Sequence, residues 1–239
     1  MKYLYGIQPT GKIHIGNYLG GIKEAIKLQE KHYVEFLIAD YHALTTQKRS
    51  DVDVYMLKLE EDLYRLGAKK VIFQKPENCE LAFEIMCITP MGEMKRMTQF
   101  KDKGGGNVGL FVYPCLMAAD IILSKPDYVI CGEDQTQHIE FYHKTCKRLK
   151  IKPAKIKLTK TSRIMSIKYP TKKMSKSLGD EHCIYLFDDN NKKIMKAPTT
   201  KEGVINLKQI AKGLGIRFFE KNNKKSKQRI IEAIMDIKK

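Results

Sequence analysis

The amino-terminal segment joins an apolar run, a glycine-rich turn and the beginning of a helix pattern, and this order limits the folds open to the chain. Residues 3–7 form the apolar run, and the turn GIQPTG occupies residues 6–11. From residue 18 onward, apolar side chains recur at helical spacing. Backbone N–H groups and the positive end of the helix dipole collect at such a junction. The segment therefore predicts a strand, a tight turn and a helix that together can bind phosphate.

The sequence HIGN at residues 14–17 begins this helix pattern. Gly16 would let a nucleotide approach the backbone closely, because it has no side chain. His14 and Asn17 would lie beside it as neutral hydrogen-bond donors for phosphate oxygens. The simpler interpretation of this motif alone is a glycine turn that only leads into a helix.

A second motif, KMSKS, occupies residues 173–177, with a proline before it and Gly179 after it. Two lysines on a hinged loop can fold over a triphosphate and neutralise the charge that develops on a leaving pyrophosphate. A lysine acts there as a hydrated point charge. Alone, this motif is also compatible with a basic surface loop. Together the two motifs favour nucleotide chemistry, with Lys173, Lys176, His14 and Asn17 as the predicted catalytic residues.

Strand patterns alternate with helix patterns through the first half of the chain. Strands are predicted at residues 34–39, 70–74 and 127–131, and helices are predicted at residues 51–66, in a segment that ends near Asp120, and from the turn at 132–135 to about residue 149. Strands separated by helices favour an α/β fold with a doubly wound, parallel, Rossmann-like sheet. A second glycine turn at residues 132–135 follows the last of these strands, so a ligand edge is expected at the carboxyl side of the sheet.

The domain organisation follows from the same patterns. We expect a catalytic domain over residues 1–185, interrupted by a less regular, methionine-rich insertion at about 76–109. The remaining residues, 186–239, are predicted to form a short basic helical segment, with amphipathic helices at 204–211 and 226–237.

The chain is strongly basic: 44 Lys and Arg face 27 Asp and Glu over 239 residues, a net charge of +17. Fourteen of the basic residues and four of the acidic ones lie after residue 190, so this segment carries +10 of the total. Such an excess favours a polyanionic partner or a phosphorylated ligand, although a merely solvated basic tail remains an alternative.

The six cysteines contain no C-x-x-C pair and no metal-ligand spacing, so no zinc or iron–sulfur site is predicted and a cytoplasmic, reducing location is expected. The first strand begins almost at the amino terminus, which predicts no signal peptide. The longest apolar run, residues 110–123, contains Asp120 and is too short to cross a bilayer. We therefore expect no membrane partner.

Further segments, together with the two motifs, indicate a resemblance to a specific protein family. Besides the turn at 6–11 and KMSKS, the chain contains ADYHALT at 39–45, YPCLMAADIIL at 113–123, GEDQTQH at 132–138 and RIM at 163–165. With these segments it resembles class I aminoacyl-tRNA synthetases, and it is similar to the bacterial-type tryptophanyl-tRNA synthetases from about residue 3 to residue 177. The Met-Ala-Ala-Asp segment disfavours the related tyrosine enzymes.

The resemblance implies roles for individual residues. Asp120 would accept the indole N–H, with Met117 and Tyr113 about one and two helical turns before it, and Gln135 would hold the polar end of the amino acid. His42 would be structural or a pocket wall. The ATP-binding positions implied are Gln8, Pro9, Thr10, Gly16, Asn17, Gly132, Glu133, Asp134, Ile164, Lys173, Met174, Ser175, Lys176 and Ser177.

Physical chemistry supports the role of Asp120, because a carboxylate in an apolar run must be paired or exposed. The alternative is an aspartate at a frayed helix end that faces water.

The resemblance also implies the reaction and the partners. L-tryptophan would be activated with ATP, whose phosphates carry Mg²⁺, and transferred to tRNA(Trp) by a cytoplasmic homodimer without a dedicated metal cage. Only 62 residues follow Ser177, so we expect a shortened carboxyl-terminal anticodon-binding region. Two rivals remain: a catalytically silent relative that binds tryptophan, nucleotide or RNA, and a tyrosine-specific enzyme.

Overall fold

Five parallel strands form one sheet in the computed structural model, which describes residues 1–97, 106–159 and 164–237. The strands are β1 (Lys2–Ile7), β2 (Tyr33–Ile38), β3 (Val71–Phe73), β4 (Tyr128–Cys131) and β5 (Lys155–Leu158), in the order β3-β2-β1-β4-β5. All four neighbouring pairs are parallel. The predicted doubly wound α/β sheet is therefore confirmed. The edge strand β5 was not predicted, because it is only four residues long and half lysine.

The strand order reverses beside β1. The chain proceeds from β1 to β2 and β3 on one side, and then adds β4 and β5 on the other. Tyr5 of β1 lies opposite Ile130 of β4, so both strands end at the same edge of the sheet. Ligands of open α/β sheets bind at such a reversal point, beyond the carboxyl ends of the strands.

The helices of the described residues alternate with the strands along the chain or follow them. Helix α1 (Ile15–Asn17) continues through a π-helical turn (Tyr18–Ile22) into α2 (Lys23–Leu28). The others are α3 (Asp40–Ala43), α4 (Arg49–Arg65), α5 (Pro76–Ile88), α6 (Met91–Met94), α7 (Val108–Ser124), α8 (Thr136–Arg148), α9 (Asn191–Met195), α10 (Lys201–Leu214) and α11 (Asn223–Ile237). Single 3-10 turns lie at Glu133–Gln135, Lys176–Leu178 and Asp180–His182.

Two helices differ from the sequence prediction. The first 13 residues of the predicted irregular insertion form the regular helix α5, which begins with Pro76, where a missing N–H costs nothing, and is capped by the Asn78 side chain on the Lys75 N–H (2.9 Å). Helix α7 continues to Ser124 instead of ending near Asp120, so Asp120 is not at a helix end. Residues 98–105 of the insertion, and Arg163, lie outside the described residues.

The chain divides into two compact units. The first comprises Met1–Thr10, Ala25–Tyr64 and Ala68–Thr159 and contains the whole sheet. Its core is built by apolar residues of the strands and of α5, α7 and α8. The second comprises Gly11–Glu24, Arg65–Gly67 and Lys160–Lys239. The predicted domain boundary at residue 185 stays a prediction.

The second unit has apolar residues of its own that are fully or almost fully buried, among them Ile15, Ile184, Ile194, Leu207 and Ile230. Within the described parts of the chain, no helix is both long enough and apolar enough to cross a lipid bilayer.

Candidate active site

A buried carboxylate lies in the middle of α7 in the first unit. Asp120 is only 5% exposed. Its Oδ1 accepts hydrogen bonds from Gln74 Nε2 and Asn78 Nδ2, both at 2.8 Å. Its Oδ2 lies 2.9 Å from Gln74 Nε2 and 3.0 Å from His42 Nε2. The alternative that Asp120 faces water is therefore wrong, and its charge is stabilised by three side chains instead.

Neighbouring strand ends supply the partners of Asp120. His42 lies in α3, directly after β2, and Gln74 follows β3, which pairs with β2. Gln74 Oε1 accepts the Tyr41 N–H at 2.9 Å, which orients the amide so that its Nε2 points to Asp120. Gln74 and Asn78 were not predicted as site residues from the sequence. The one available signal was that Gln74 ends a predicted strand, as ligand-binding residues of such sheets often do.

An aromatic and histidine wall adjoins the carboxylate. The ring of Tyr113 meets that of His42 edge to face, with centroids 5.4 Å apart. The Tyr113 hydroxyl lies 2.6 Å from His138 Nε2. Burial, followed by the nearby His42, lowers the pKa of His138 to about 4, and burial raises the pKa of Tyr113. Both groups are therefore neutral at pH 7.

The same wall contains an unsatisfied polar atom. Nδ1 of His42 is buried and has no hydrogen-bond partner among the described residues. Buried polar atoms without partners are uncommon in native proteins, and each calls for an explanation such as a bound ligand. The cluster around Asp120 thus has the character of a binding site as well as that of a packed core.

The remaining predicted tryptophan-binding residues lie differently. Met117 is partly buried and packs against the core of the first unit. Gln135 donates from Nε2 to Asp134 Oδ2 at 3.1 Å, within the 3-10 turn that follows β4. The structure therefore groups Tyr113 with Asp120 through His42, whereas Gln135 pairs with Asp134.

Two turns lie at the carboxyl edge where the strand order reverses. After β1, the Thr10 N–H donates to the Gln8 carbonyl at 3.0 Å, with Pro9 buried between them. After β4, the Gln135 N–H donates to the Gly132 carbonyl at 3.1 Å. These turns contain the predicted ATP-binding residues of the first unit: Gln8, Pro9, Thr10, Gly132, Glu133 and Asp134. Their positions at adjacent strand ends suit a nucleotide site.

Asp134 lies over the backbone of Gly132. A Cβ atom added at Gly132 would come within 2.5 Å of Asp134 Oδ1. A larger residue at position 132 would displace this carboxylate, so the glycine allows Asp134 its observed position.

In the second unit, His14 caps the helix that it begins. Its Nδ1 accepts the Asn17 N–H at 3.3 Å, and Asn17 Oδ1 accepts the His14 N–H at 3.2 Å. Burial, followed by the charges of Lys176 and Lys173, lowers the pKa of His14 to about 3. The ring is therefore neutral at pH 7, and because Nδ1 is an acceptor, its proton lies on Nε2. His14 can thus donate a hydrogen bond to an anion, as the sequence indicated.

Gly16 leaves room for this ring. A Cβ atom at position 16 would lie 3.0 Å from both Cε1 and Nδ1 of His14. The imidazole would have to move by a few tenths of an ångström, which would disturb its cap on the Asn17 N–H. The glycine therefore has a steric role in addition to the close approach predicted for a nucleotide.

The KMSKS loop is anchored at its base, with Lys173 exposed and Lys176 partly buried. Ile164 accepts the Met174 N–H at 3.1 Å, and Met174 is buried. Lys173 is exposed, and Lys176 begins a 3-10 turn capped by Ser175, whose Oγ lies 2.8 Å from Ser177 Oγ. Burial lowers the pKa of Lys176 to about 8.

The loop ends at Gly179, whose φ of 108° lies in the left-handed region that favours glycine. His14, Lys173 and Lys176 lie near one another in the second unit, close enough that the charges of both lysines lower the pKa of the histidine.

Comparison with known proteins gives a consistent family. The family described as "tRNA synthetases class I (W and Y)" matches residues 1–239. The chain is 41% identical over 233 residues to the tryptophan–tRNA ligase of Caldanaerobacter subterraneus subsp. tengcongensis, which covers 87% of this chain and 70% of that protein. It is also 41% identical over 220 residues to the tryptophan–tRNA ligase of Rickettsia conorii, which covers 82% of this chain and 67% of that protein.

Solved structures agree. Tryptophanyl-tRNA synthetase from Mycoplasma pneumoniae superposes with a TM-score of 0.85 at 30% identity, over 99% of this chain and 85% of that chain. The enzyme from Campylobacter jejuni, complexed with ADP and tryptophan, gives a TM-score of 0.79 at 28% identity, over 100% of this chain and 86% of that chain. Tyrosyl-tRNA synthetase from Aeropyrum pernix shares the fold at 18% identity, with a TM-score of 0.79.

Proposed function

Because this chain belongs to the class I tRNA synthetases of the tryptophan and tyrosine family, we infer that it is a tryptophan–tRNA ligase. The observation that carries the choice of amino acid is the buried carboxylate of Asp120, inside a helix whose other buried residues are mostly apolar. An indole N–H is a single donor in an apolar ring system, and a buried carboxylate matches it. Relatives at about 40% identity that are tryptophan–tRNA ligases support the same choice.

In this proposal, Asp120 accepts the indole N–H while its own position is held by side chains around it. Gln74 Nε2 contacts both carboxylate oxygens, so an incoming N–H can replace one of these contacts while Gln74 keeps the other. Asn78 and His42 keep the carboxylate oriented while the indole N–H replaces this contact. Tyr113 and Met117 supply the wall of the pocket, and Gln135 holds the polar end of the amino acid.

The chemistry requires no protein nucleophile. A carboxylate oxygen of tryptophan attacks the α-phosphorus of ATP, the bond to the bridging oxygen breaks, and pyrophosphate leaves. The acyl group of the adenylate then passes to a ribose hydroxyl of tRNA, with release of AMP. Catalysis is positioning and charge stabilisation, and Mg²⁺ enters on the ATP phosphates as part of the substrate.

The second unit supplies the groups that meet the phosphates. The Nε2–H of neutral His14 donates to a phosphate oxygen, and the charges of Lys173 and Lys176 stabilise the departing pyrophosphate. Asn17 contributes as a further donor. The family resemblance also gives Gln8, Pro9, Thr10, Gly132, Glu133 and Asp134, in the turns after β1 and β4 of the first unit, as ATP-binding residues.

Amino-acid-dependent exchange of labelled pyrophosphate into ATP tests the function. We expect exchange with tryptophan and almost none with tyrosine or phenylalanine, because a site built to hydrogen-bond an N–H of its substrate can reject an analogue that lacks it by on the order of 10⁴. Exchange with no amino acid would identify a silent relative, and preferential exchange with tyrosine would identify the other branch of the family. The chain contains no tryptophan, so all indole fluorescence comes from the added ligand, and its change on binding can be followed without a protein background.

The basic carboxyl-terminal segment is proposed to contact tRNA. Aromatic and basic side chains meet between α10 and α11: the cations of Lys225 and Arg217 lie 4.5 Å and 5.4 Å from the ring centre of Phe219. Lysines and arginines on this surface can neutralise phosphates, which gives affinity without much sequence discrimination.

A salt series tests this surface. Removing residues from Ser226 onward is unsuitable, because Ser226 and Lys227 are buried and Lys227 Nζ donates to the Met195 and Ala197 carbonyls at 3.0 and 2.7 Å. We expect the exposed-lysine triple variant K221A/K224A/K225A to weaken tRNA binding. The slope of log affinity against log salt should become shallower by roughly 0.7 to 0.9 for each phosphate that the variant no longer neutralises. Pyrophosphate exchange should be unchanged.

Filter binding across salt measures this effect. The matched control is K27A/K31A/K69A, which removes three exposed lysines of the first unit and should leave tRNA binding and its salt slope unaltered. Equal weakening in both triple variants would show that net charge alone, and not this surface, determines affinity.

We further propose that the protein acts in the cytoplasm as a homodimer. Three helices of the first unit carry large, mostly exposed apolar side chains: Leu57 of α4, Phe83 of α5 and Met91 of α6. A subunit interface would cover such side chains. Sedimentation equilibrium of the wild type should give twice the chain mass of 27.6 kDa, and F83E should shift it towards the monomer. A monomeric wild-type protein would contradict the assignment.

A further inference from the structure

Two buried asparagines of the second unit each pair with both backbone groups of a single residue. Asn206 of α10 is 1% exposed. Its Oδ1 accepts the Met165 N–H at 2.9 Å, and its Nδ2 donates to the Met165 carbonyl at 2.9 Å. Asn190, just before α9, is 4% exposed and makes the same two-way pairing with the N–H and carbonyl of Tyr185.

Such a pairing imitates a neighbouring strand. An asparagine amide offers an acceptor and donors at nearly the spacing of a backbone peptide group, so it can complete the pairing of one residue at a strand edge. The Nδ2 of Asn206 also lies 3.3 Å from the carbonyl of Ser166. The backbone at residues 165–166 is therefore fixed from the side of α10.

The residues that are held in this way pair directly with the predicted catalytic motifs. Met165 forms an antiparallel bridge with Lys173, and the flanking Ser166 N–H donates to the Lys172 carbonyl at 2.8 Å. Tyr185 forms an antiparallel bridge with His14. On either side of it, the Ile15 N–H donates to Ile184 at 2.8 Å and the Leu186 N–H donates to Ile13 at 2.9 Å.

Each asparagine is thus one backbone bridge away from a group that meets phosphate. Asn206 is connected through Met165 to Lys173, and Asn190 is connected through Tyr185 to His14. Both asparagines lie after the KMSKS loop, in the segment for which the sequence suggested only contact with tRNA. Both pairings are buried, and both are made to backbone groups. They therefore fix the positions of Met165 and Tyr185, in addition to stabilising the fold.

We propose that Asn206 and Asn190 are positioning residues for adenylate formation, which place Lys173 and His14 through the backbone of Met165 and Tyr185. This inference rests on the proposed function. It makes the helical segment after the loop part of the activation machinery, in addition to any role with tRNA.

The test is N206D. The substituted side chain has the same shape and still accepts the Met165 N–H, but it replaces the donor that faces the Met165 and Ser166 carbonyls with an acceptor. The loop base must shift to relieve this contact. A displacement of about 1 Å in a positioning contact can cost on the order of 100-fold in rate, so we expect kcat for pyrophosphate exchange to fall about 100-fold. The tryptophan dissociation constant, measured by ligand fluorescence, should stay within about twofold.

A double-mutant cycle with K173A separates positioning from general damage. If Asn206 acts through Lys173, N206D should lower kcat by less than about threefold in the K173A background, because the group that it places is already absent. An equal fall of kcat in both backgrounds would overturn the proposal. So would an unchanged kcat in folded N206D, or a parallel rise in the tryptophan dissociation constant.

Two further variants complete the experiment. N191D makes the same chemical change at an exposed position next to Asn190 and should leave kcat within about twofold of wild type. Thermal melting verifies that each variant is folded. If N206D does not fold, N206S takes its place in the cycle under the same criteria. N206S removes the two-way pairing without adding a charge. If the wild-type protein shows no tryptophan-dependent pyrophosphate exchange, the proposed function itself is refuted. If the wild type is active and the Asn206 variant has the same kcat, only this inference is refuted.

Discussion

Replacing Asp120 with alanine should lower kcat/KM for tryptophan by on the order of 10⁴ while ATP affinity changes little. The wild-type carboxylate is buried and its two oxygens are already oriented by Gln74, Asn78 and His42. Its removal takes away the acceptor for the indole N–H. It also leaves the three partner side chains without an acceptor for their hydrogen bonds, at a cost of about 1 to 3 kcal/mol for each group that stays unpaired. The measurement is pyrophosphate exchange with tryptophan at saturating ATP.

A ligand analogue makes this test specific. The wild-type protein should reject 1-methyltryptophan, which lacks the indole N–H, whereas D120A should discriminate poorly between it and tryptophan. E84A, which removes an exposed carboxylate of α5, serves as the control and should behave like wild type. If D120A is folded and still prefers tryptophan over its methylated analogue, another group accepts the indole N–H.

Replacing Lys176 with alanine should lower the rate of adenylate formation about 100-fold, with little change in the tryptophan dissociation constant. The lysine charge meets the phosphates mainly as pyrophosphate leaves, so its removal acts on the transition state more than on the bound ground state. Stopped-flow activation with tryptophan and ATP gives the rate. K172A removes an exposed lysine from the same segment and should be close to wild type, and equal decreases in the two variants would show a general charge effect.

The pH dependence provides an independent check on Lys176. Burial lowers the pKa of its ammonium group to about 8, so its charge is present below that pH and is lost above it. The wild-type kcat/KM for ATP, which reports the free enzyme, should therefore fall as the pH rises through about 8. K176A should lack this decrease. A wild-type profile that is flat between pH 7 and 9.5 would contradict the role of this lysine.

Local patterns in the sequence were sufficient for four of the five strands and for both motifs. The strands β1, β2 and β4 are apolar runs that end at glycine or polar turns, and these signals depend on neighbours in the chain. The glycine turn, the HIGN cap and the KMSKS loop are likewise contiguous, so their chemistry could be anticipated before their geometry was known. Asp120 was identified through the family resemblance, and the argument that a buried charge must be paired supported that choice.

The partners of these residues were decided by the tertiary structure alone. Gln74 and Asn78 lie more than 40 positions from Asp120 in the chain, and they meet it only because the ends of β2 and β3 bring α3 and α5 to one edge. Asn206 is 41 positions from Met165. Periodicity describes which face of an element is buried, but it does not specify which distant polar side chain satisfies a given buried group.

Protonation states depend on this same packing. The sequence suggested that His14 is neutral, but only its burial beside Lys176 and Lys173 sets its pKa at about 3. The sequence by itself therefore determined the fold class, the two motifs and the amino acid to be recognised. The tertiary structure decided how Asp120 is held, which tautomer His14 adopts and what fixes the loop, because each of these depends on contacts between residues far apart in the chain.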